Sequence, residues 1–309
     1  MTLDEFFNKK LNIRMEVSIK SPAKVNLHLE IIGRRNDEYH EIISLFQSIT
    51  LFDEISVRAA SGNRRCEIQG QPDIPLKDNL IYRAVKLFLE ESGIDSGFSV
   101  NIVKRIPMGA GLGGGSGNAA AVLEAINILC GTKWDTERLG NLGIRLGSDV
   151  PFFLKSVAAI VRGRGEEITG LKPRVDYFII VVNPGININT SKAYSLYDAS
   201  ISENSKKRDV FSLATLEEEY FEKPPSMWRF FNSFYQVISK KHPLLDEIKK
   251  DFSSLRADYV GLSGSGSSIF GIFSQQSSAE RAEKALKNKY TQVWLVKPLD
   301  RKPEAVLKY

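Results

Sequence analysis

A glycine-rich segment in the first half of the chain has the composition of a phosphate-binding loop. Six of the nine residues in GAGLGGGSG, at positions 109–117, are glycine. The segment lies between a predicted strand at 98–106 and a predicted helix at 118–129. Glycine lets backbone N–H groups converge on an anion, and the N-terminus of the following helix adds partial positive charge. We interpret the segment as a phosphate loop, because a flexible linker would not need this placement.

This loop does not match the common nucleotide-binding motifs. No Gly-Lys-Ser or Gly-Lys-Thr ends it, so it is not a P-loop. Gly109, Gly111 and Gly114 satisfy G-x-G-x-x-G, but a dinucleotide fold also needs a strand that ends in an acidic residue about 20 residues further on. In that region Asp135 stands in a polar stretch that begins a helix. The dinucleotide interpretation therefore stays open only as a weak rival.

Two further segments carry polar residues at spacings that suit anion binding. The segment SPAKVNL, at 21–27, opens an apolar strand, and its alternation places Lys24, Asn26 and His28 on one face. For His28 alone, a solvated strand face is the simpler interpretation. A second glycine-rich segment, GLSGSGSS at 261–268, would by itself be a hairpin turn. Together the two glycine segments suggest two loops that close on one polyanion.

The elements that must position these residues are strands and helices without an internal repeat. The hydrophobic pattern predicts strands at 16–32, 44–58, 98–106, 156–163, 176–182 and 291–297, and helices at 79–91, 118–129, 136–146, 191–198, 225–240, 243–255 and 278–289. Such a mixture predicts an α+β protein of two domains, which we divide into 1–165 and 166–309.

The composition excludes several classes of protein. With 42% hydrophobic residues, 23 Gly and 12 Pro, the 309-residue chain is neither disordered nor collagen-like. Two cysteines cannot form a disulfide scaffold, and with the three histidines they show no metal-ligand spacing, so we predict no metal site formed by protein alone. No apolar run approaches the ~20 residues of a membrane span, and no signal peptide is apparent. We expect a cytoplasmic protein without a membrane partner.

The excess positive charge lies at the end of the chain. The formal net charge is +5, and the last 29 residues, with eight basic and three acidic side chains, supply all of it. We therefore expect backbone amides and a few placed lysines, rather than bulk charge, to bind phosphates. A nucleic-acid-binding protein is the alternative from another class, but the sequence has no basic stripe interleaved with aromatics, and we expect no nucleic-acid partner.

Five ordered segments resemble known kinase families. Three are similar to the signature motifs of the galactokinase, homoserine kinase, mevalonate kinase and phosphomevalonate kinase (GHMP) superfamily: PAKVNL (22–27), PMGAGLGGGSGNAA (107–120) and GLSGSGSSIFGIF (261–273). GRRNDEYHEI (33–42) and GSDVPFF (147–153) narrow the resemblance to the 4-diphosphocytidyl-2-C-methyl-D-erythritol kinase family. The resemblance covers most of the chain. It implies an N-terminal ribosomal-S5-domain-2-like domain and a C-terminal ferredoxin-like domain, with the active site between them.

The same resemblance implies a reaction and its residues. The reaction is phosphorylation of the 2-hydroxyl of 4-diphosphocytidyl-2-C-methyl-D-erythritol by ATP with Mg²⁺, in the non-mevalonate isoprenoid pathway. Lys24 and Asp149 match the family's catalytic pair, in which a carboxylate accepts the hydroxyl proton and a lysine stabilises developing charge. The residues expected at ATP are Asn79, Lys104, Pro107, Gly109, Gly111, Leu112, Gly113, Gly114, Gly115 and Ser116. Those expected at the substrate are Asn26, Tyr39, His40, Thr190, Tyr194, Gly264, Ser265 and Gly266.

Within this resemblance an alternative and two departures remain. Another GHMP-type kinase, of the homoserine or mevalonate type, is the alternative, although such a substrate has no use for a cytidine-binding set. Glu38 stands where the family usually has glycine, and Gly117 stands where a second serine is usual. We expect a monomer or a weak homodimer that binds a small-molecule substrate and ATP.

Overall fold

The computed structural model describes residues 15–60, 65–71, 74–201 and 211–309, and within them the chain forms two sheets with helices packed on them. The strands are β1 (Glu16–Arg34), β2 (His40–Ala60), β3 (Cys66–Gln69), β4 (Gly97–Val103), β5 (Ala158–Gly163), β6 (Glu167–Gly170), β7 (Phe178–Val182), β8 (Tyr259–Leu262), β9 (Ile269–Phe273), β10 (Val293–Val296) and β11 (Val306–Lys308). The helices are α1 (Leu80–Ser92), α2 (Gly114–Cys130), α3 (Thr136–Leu146), α4 (Val150–Lys155), α5 (Thr190–Ser200), α6 (Leu213–Glu222), α7 (Tyr235–Lys241), α8 (Leu244–Ser254) and α9 (Gln276–Lys287). The predicted α+β class is confirmed.

The first sheet is built on a long antiparallel pair, β1 and β2. Its strand order is β11-β1-β2-β4-β3, while β5 pairs with another part of β2 and carries β6 on its other edge. The β1–β2 register shifts at three places, between Pro22 and Ala23, between Asn26 and His28, and between Ile31 and Gly33. Each such irregularity bends a strand and re-aims the side chains that follow it.

Helix α2 packs closely against the first sheet because many of its buried side chains are small. Ala119, Ala120, Ala121 and Ala125 are all buried, so small side chains face the neighbouring elements along most of the helix. The same core contains Phe88, Phe98 and Phe152, among other apolar side chains. Burying one such aromatic side chain stabilises the fold by about 1.5–3 kcal/mol, and this packing holds the N-terminus of α2 in place.

The second sheet has the order β10-β7-β9-β8, and its neighbouring strands are all antiparallel. In chain order it follows the β-α-β-β-α-β pattern of ferredoxin-like domains, with α5–α8 after β7 and α9 after β9. Phe252 of α8 and Ala282 of α9 are buried on this sheet. The loop between β8 and β9 is the second glycine-rich segment.

The two sheets give the domain division its physical basis. Strand β6 pairs with β5, so the first sheet extends past position 165. Strand β11 returns to pair with β1, so the end of the chain is also part of that sheet. We therefore propose a division that follows Gly170, with residues 306–308 assigned to the N-terminal domain.

The helix predicted at 225–240 is wrong over its first part. Only a 3₁₀ turn forms there, at Pro225–Met227, and α7 does not begin until Tyr235. The intervening backbone bonds instead to β1, since the amide of Leu29 donates to the carbonyl of Phe231 at 2.9 Å and that of Ser233 to the carbonyl of Leu29 at 2.8 Å. Tertiary pairing overrides the helical pattern here. The sequence patterns also missed β3, β6, β11, α4 and α6.

None of the helices in the described part of the chain is long and apolar enough to cross a bilayer.

Candidate active site

A cavity of about 900 Å³ opens where β1, the first glycine loop, α5 and the second glycine loop meet. All but one of the site residues predicted from sequence line it. They are Lys24, Asn26, Tyr39, His40, Asn79, Lys104, Pro107, Gly109, Gly111, Leu112, Gly113, Gly114, Gly115, Ser116, Asp149, Thr190, Tyr194, Gly264 and Ser265. Residues far apart in the chain thus share one cavity.

Lys24 is a buried cation held by three kinds of contact. Its Nζ donates to Oδ1 of Asn26 at 2.6 Å and lies 3.4 Å from Oδ2 of Asp149. It also lies 4.3 Å from the centroid of the Phe46 ring. Burial lowers the pKa of the Lys24 ammonium, and the nearby carboxylate of Asp149 only partly offsets this. Burial therefore disfavours the charged form of Lys24 at this position.

Asp149 directly precedes α4 but does not cap it. Its side chain makes no capping hydrogen bond to the helix, and Pro151 lies in the first turn of α4. The carboxylate is instead directed at Lys24 and is 30% exposed. An acid that is paired but accessible from the cavity can accept a proton from a bound hydroxyl.

The first glycine loop ends in the N-terminus of α2. Gly113, in the left-handed region at φ 69°, is the N-cap residue, and the first backbone bond of the helix runs from the amide of Gly117 to the carbonyl of Gly113. The amides of Gly114, Gly115 and Ser116 accordingly have no intrahelical acceptor. They line the cavity together with the positive end of the helix dipole, which is an arrangement suited to phosphate.

The second glycine loop locks onto the first. The Ser263 hydroxyl donates to the carbonyl of Gly111 at 2.9 Å, and the amide of Ser268 donates to the carbonyl of Ala110 at 3.2 Å. A side chain at Gly111 would place its Cβ 2.0 Å from the Ser263 carbonyl oxygen. Glycine at 111 is therefore a requirement of the close approach between the two loops.

Asn26 and Thr190 tie the second loop to the rest of the cavity. The amide of Gly264 donates to Oδ1 of Asn26 at 2.8 Å, and the hydroxyls of Thr190 and Ser265 lie 3.1 Å apart. Gly266 is the predicted site residue that does not line the cavity. Its amide donates to the carbonyl of Ser263, and a Cβ at this position would lie 3.0 Å from Cδ1 of Ile188 and 3.2 Å from Cδ1 of Leu262. The assignment of Gly266 to the substrate-contacting set stays a prediction.

At the predicted adenine end, Asn79 and Lys104 both have structural partners. Oδ1 of Asn79 accepts from the amide of Ile81 and caps α1 at 2.9 Å. Nζ of Lys104 donates to Oδ2 of Asp53 at 2.6 Å and to the carbonyl of Ile106 at 2.7 Å. An ammonium group has three N–H donors, so one is left for a ligand.

Asp53 is a buried acid that sequence reasoning missed. Besides Lys104, its carboxylate accepts from the amides of Arg105 and Ile106 at 2.7 and 2.8 Å and from Nδ2 of Asn118 at 2.9 Å. One side chain of β2 thereby fixes the start of the first glycine loop and the first turns of α2. The only sequence signal is an acid within an apolar strand pattern.

At the opposite end of the cavity, His40 is held by helix α5. Its imidazole stacks on the Tyr194 ring, with the centroids 4.4 Å apart and the planes at 16°, and its Nε2 lies 2.7 Å from Oδ1 of Asp198. Tyr194 therefore stacks on His40, and that face of its ring is not open to a base. Burial, with the negative charge of Asp149 nearby, raises the pKa of Tyr194 to about 12, so its hydroxyl is protonated at neutral pH.

Three more residues at this end were missed from the sequence. Asp198 lies four positions after Tyr194 and eight after Thr190, a helical spacing that could have revealed it. Arg34 and Arg164 also line the cavity, and Cζ of Arg164 lies 5.0 Å from the ring centroid of Tyr39. Two arginines bring positive charge to the end where the aromatic side chains lie.

The prediction that His28 shares a face with Lys24 and Asn26 is wrong, and so is the solvated interpretation of its side chain. The register shift between Asn26 and His28 turns the imidazole away from the cavity. His28 is fully buried among Phe211, Phe230 and Phe231. Burial lowers the pKa of this histidine.

At both departures from the family pattern the local geometry favours glycine. Glu38 adopts φ 67°, in the left-handed region that glycine tolerates best, and its side chain is exposed at the rim of the cavity. At Gly117 an added Cβ would lie 2.8 Å from the Ser21 hydroxyl oxygen and 3.0 Å from the carbonyl oxygen of Pro22. The close packing of α2 on β1 thus leaves little room for a side chain at 117.

Comparisons with known proteins agree with this geometry. The family model described as GHMP kinases N terminal domain matches residues 79–156, and the model described as GHMP kinases C terminal matches 207–292. The chain is 35% identical over 293 residues to 4-diphosphocytidyl-2-C-methyl-D-erythritol kinase of Alkaliphilus metalliredigens, which covers 93% of this chain and 98% of that protein. The protein of the same name from Thermodesulfovibrio yellowstonii is 33% identical over 92% of this chain and 99% of its own length. The chain belongs to this kinase family.

The solved structures separate this family from its neighbours. A crystal structure of 4-(cytidine 5'-diphospho)-2C-methyl-D-erythritol kinase aligns with a TM-score of 0.76 and 33% identity over 91% of this chain and 98% of that one. The homoserine kinase of Cytophaga hutchinsonii aligns with a TM-score of 0.72 but only 18% identity, over 94% and 97% of the two chains. The predicted two-domain GHMP kinase fold is confirmed, and the chain is a kinase of a superfamily that uses ATP.

Proposed function

We propose that the protein transfers the γ-phosphoryl group of ATP to the 2-hydroxyl of 4-diphosphocytidyl-2-C-methyl-D-erythritol, giving the 2-phosphate and ADP. The observation that carries the proposal is the pairing of Lys24 with Asp149 in the cavity lined by the first glycine loop. The identity of 35% and 33% to two kinases that bear this substrate's name, over more than 90% of this chain, supports the choice of substrate.

The two ends of the cavity bind different ligands, ATP at one end and the cytidine part of the substrate at the other. The triphosphate of ATP lies against the amides of Gly114–Ser116 at the N-terminus of α2, and adenine lies toward Asn79 and Lys104. The cytidine end of the substrate lies toward Tyr39, His40 and Tyr194. The methylerythritol then falls between them, beside Lys24, Asn26 and Asp149.

Asp149 is the general base, and Lys24 holds the charge. The carboxylate of Asp149 accepts the proton of the attacking 2-hydroxyl as the oxygen–phosphorus bond forms and the bond to the leaving ADP oxygen breaks. The ammonium of Lys24 stabilises the negative charge on the transferring group and fixes the position of Asp149. Phosphoryl transfer needs mainly positioning and charge neutralisation, which this arrangement supplies.

Magnesium fits the phosphate end without a site formed by protein alone. Among the described residues, no group of three histidine, cysteine or acidic side chains could hold a metal ion. The cavity does offer oxygen ligands of the kind that Mg²⁺ prefers, the Ser116 hydroxyl and Oδ1 of Asn118, a buried oxygen without a hydrogen-bond partner. These two residues would hold an ion that is bound mainly by the ATP phosphates. When bound, Mg²⁺ neutralises charge on the phosphates.

Release of ADP, followed with a coupled assay, tests the substrate assignment. The purified chain is incubated with ATP, Mg²⁺ and one of three acceptors: the cytidyl-diphospho substrate, homoserine or mevalonate. The proposal predicts turnover on the first and none above background on the other two. Turnover on homoserine or mevalonate with none on the cytidyl substrate would overturn it in favour of another GHMP-type kinase.

A further inference from the structure

We propose that Asp198 is a positioning residue that sets the base specificity of the substrate site by fixing the tautomer of His40. The inference rests on the proposed function, in which a cytosine base binds near His40. It starts from one contact, the 2.7 Å between Oδ1 of Asp198 and Nε2 of His40.

The carboxylate decides where the imidazole carries its proton. A carboxylate can only accept a hydrogen bond, so an imidazole at His40 that carries a single ring hydrogen must carry it on Nε2. Its other ring nitrogen, Nδ1, is then an acceptor. Among the described residues Nδ1 has no hydrogen-bond partner, and the His40 side chain lines the cavity. The structure therefore offers a ligand a placed acceptor.

Helix α5 holds this arrangement from two sides. Tyr194 and Asp198 are one helical turn apart, so one stacks on the face of the His40 ring while the other bonds to its edge. The Tyr194 ring is itself packed edge-on against Phe234, at a centroid distance of 4.8 Å. A ring turned over by 180° would still stack on Tyr194 but would lose the hydrogen bond from Nε2 to Asp198, so the hydrogen bond sets the direction of the other ring nitrogen.

An acceptor at this position distinguishes cytosine from uracil. Cytosine carries an exocyclic amino group at C4, which donates, whereas uracil carries a carbonyl oxygen there, which accepts. The amino group pairs with Nδ1 of His40, while the carbonyl oxygen would face another acceptor. A good base-edge contact discriminates between bases by about 1–3 kcal/mol, which is roughly 5- to 150-fold in affinity.

Calorimetric titration with CDP and with UDP tests the proposal in Asp198→Asn, an isosteric change. An asparagine side chain can accept from or donate to Nε2, so both tautomers become available. The wild type should bind CDP at least about fivefold more tightly than UDP. In Asp198→Asn that preference should shrink toward equal binding, Asp198→Glu should restore part of it, and Asp300→Asn, at an exposed aspartate outside the cavity lining, should keep it in full.

A second measurement reads the tautomer directly. The chain has three histidines, so ¹⁵N-detected NMR of the folded protein can assign His40 by comparison with His40→Gln. Wild-type His40 should show a single ring hydrogen, on Nε2, and Asp198→Asn should populate the other tautomer. A protonated imidazole or an Nδ1–H tautomer in the wild type would overturn the inference, as would no change of tautomer in Asp198→Asn.

The titration outcomes separate the two proposals. Wild type that binds neither CDP nor UDP would overturn the proposed function and this inference together. Wild type that binds CDP, with a preference over UDP that Asp198→Asn leaves intact, would overturn the inference alone. Equal binding of CDP and UDP by the wild type would also overturn the inference alone.

Discussion

The ammonium nitrogen of Lys24 lies 3.4 Å from Oδ2 of Asp149, although the two residues come from the first strand and from the start of α4. Lys24 is buried, whereas the side chain of Asp149 is 30% exposed. In this pair Lys24 is shielded from solvent, and Asp149 is accessible from the cavity. In the proposed reaction the accessible partner takes the proton and the buried one holds the charge.

Replacing Lys24 with methionine should abolish activity without lowering stability. Burial lowers the pKa of Lys24 in the folded chain, so keeping the group charged at neutral pH opposes folding. Methionine fills a similar volume and removes that cost, while Asp149 remains hydrated. Denaturant unfolding should therefore give a free energy at or above the wild-type value, with kcat near background. A clear loss of stability would show that the pair contributes more to folding than burial of the lysine costs.

The lowered pKa of Lys24 predicts an alkaline limit to activity. The folded chain loses this proton below the ordinary lysine value of 10.5, so kcat/KM should fall as pH rises through the lowered pKa. The linked effect on stability has the opposite sign: the unfolded chain binds more protons than the folded chain between the two pKa values, so stability should rise with pH in that window.

Lys24→Arg tests whether deprotonation of Lys24, and not of another group, causes the fall of kcat/KM at high pH. A guanidinium keeps its charge throughout the accessible range. The variant should be slower than the wild type, because its geometry differs, but its pH–rate profile should lack the alkaline limb. An unchanged limb in the variant would assign it to another group.

Asp53 should matter far more to stability than its neighbour Glu54. The Asp53 carboxylate is fully buried and accepts from Lys104, Asn118 and two backbone amides. Asp53→Asn leaves Lys104 without its charge partner and should cost about 3–5 kcal/mol in free energy of unfolding. Glu54→Gln breaks only an exposed pair with Arg105 and should cost at most about 1 kcal/mol. Similar losses in both variants would contradict the anchoring role of Asp53.

Asn79 can be tested as a ligand residue and as a helix cap at once. Asn79→Ala removes the cap of α1, and Ser212→Ala removes that of α6, which lies outside the cavity lining. Each change should cost about 1 kcal/mol of stability. Because adenine lies toward Asn79 in the proposed complex, only Asn79→Ala should raise the KM for ATP. Equal KM values in the two variants would leave Asn79 with its capping role alone.

Most residues of the candidate site could be predicted from the local composition of the chain. The sequence alone shows glycines at 109–117 and 261–266, a lysine in a strand and an acid two residues before a proline. The family resemblance then indicated that these features belong to one site. Helix α3 was predicted at its observed bounds because its apolar spacing, an N-cap Asp135 and a C-terminal Gly147 agree.

The sequence could not show what depends on register or on distant partners. A register shift in β1 sends His28 into an apolar cluster instead of the cavity, and no composition marks such a shift. Gly266 stands in the second glycine-rich segment but, unlike Gly264 and Ser265, does not line the cavity. Asp53 and Asp198 act through partners far along the chain, Asn118 and His40, so their importance appears only when the fold brings them together.

Turnover by Asp149→Asn tests the central claim most directly. The change keeps the shape of the side chain and removes its ability to accept the hydroxyl proton as a carboxylate. Coupled ADP release with the cytidyl-diphospho substrate should show kcat lowered by about 10²- to 10⁴-fold with the KM for ATP little changed. Asp95→Asn, at an exposed aspartate outside the cavity lining, should retain wild-type turnover. Wild-type turnover by Asp149→Asn would contradict the assignment of the catalytic base.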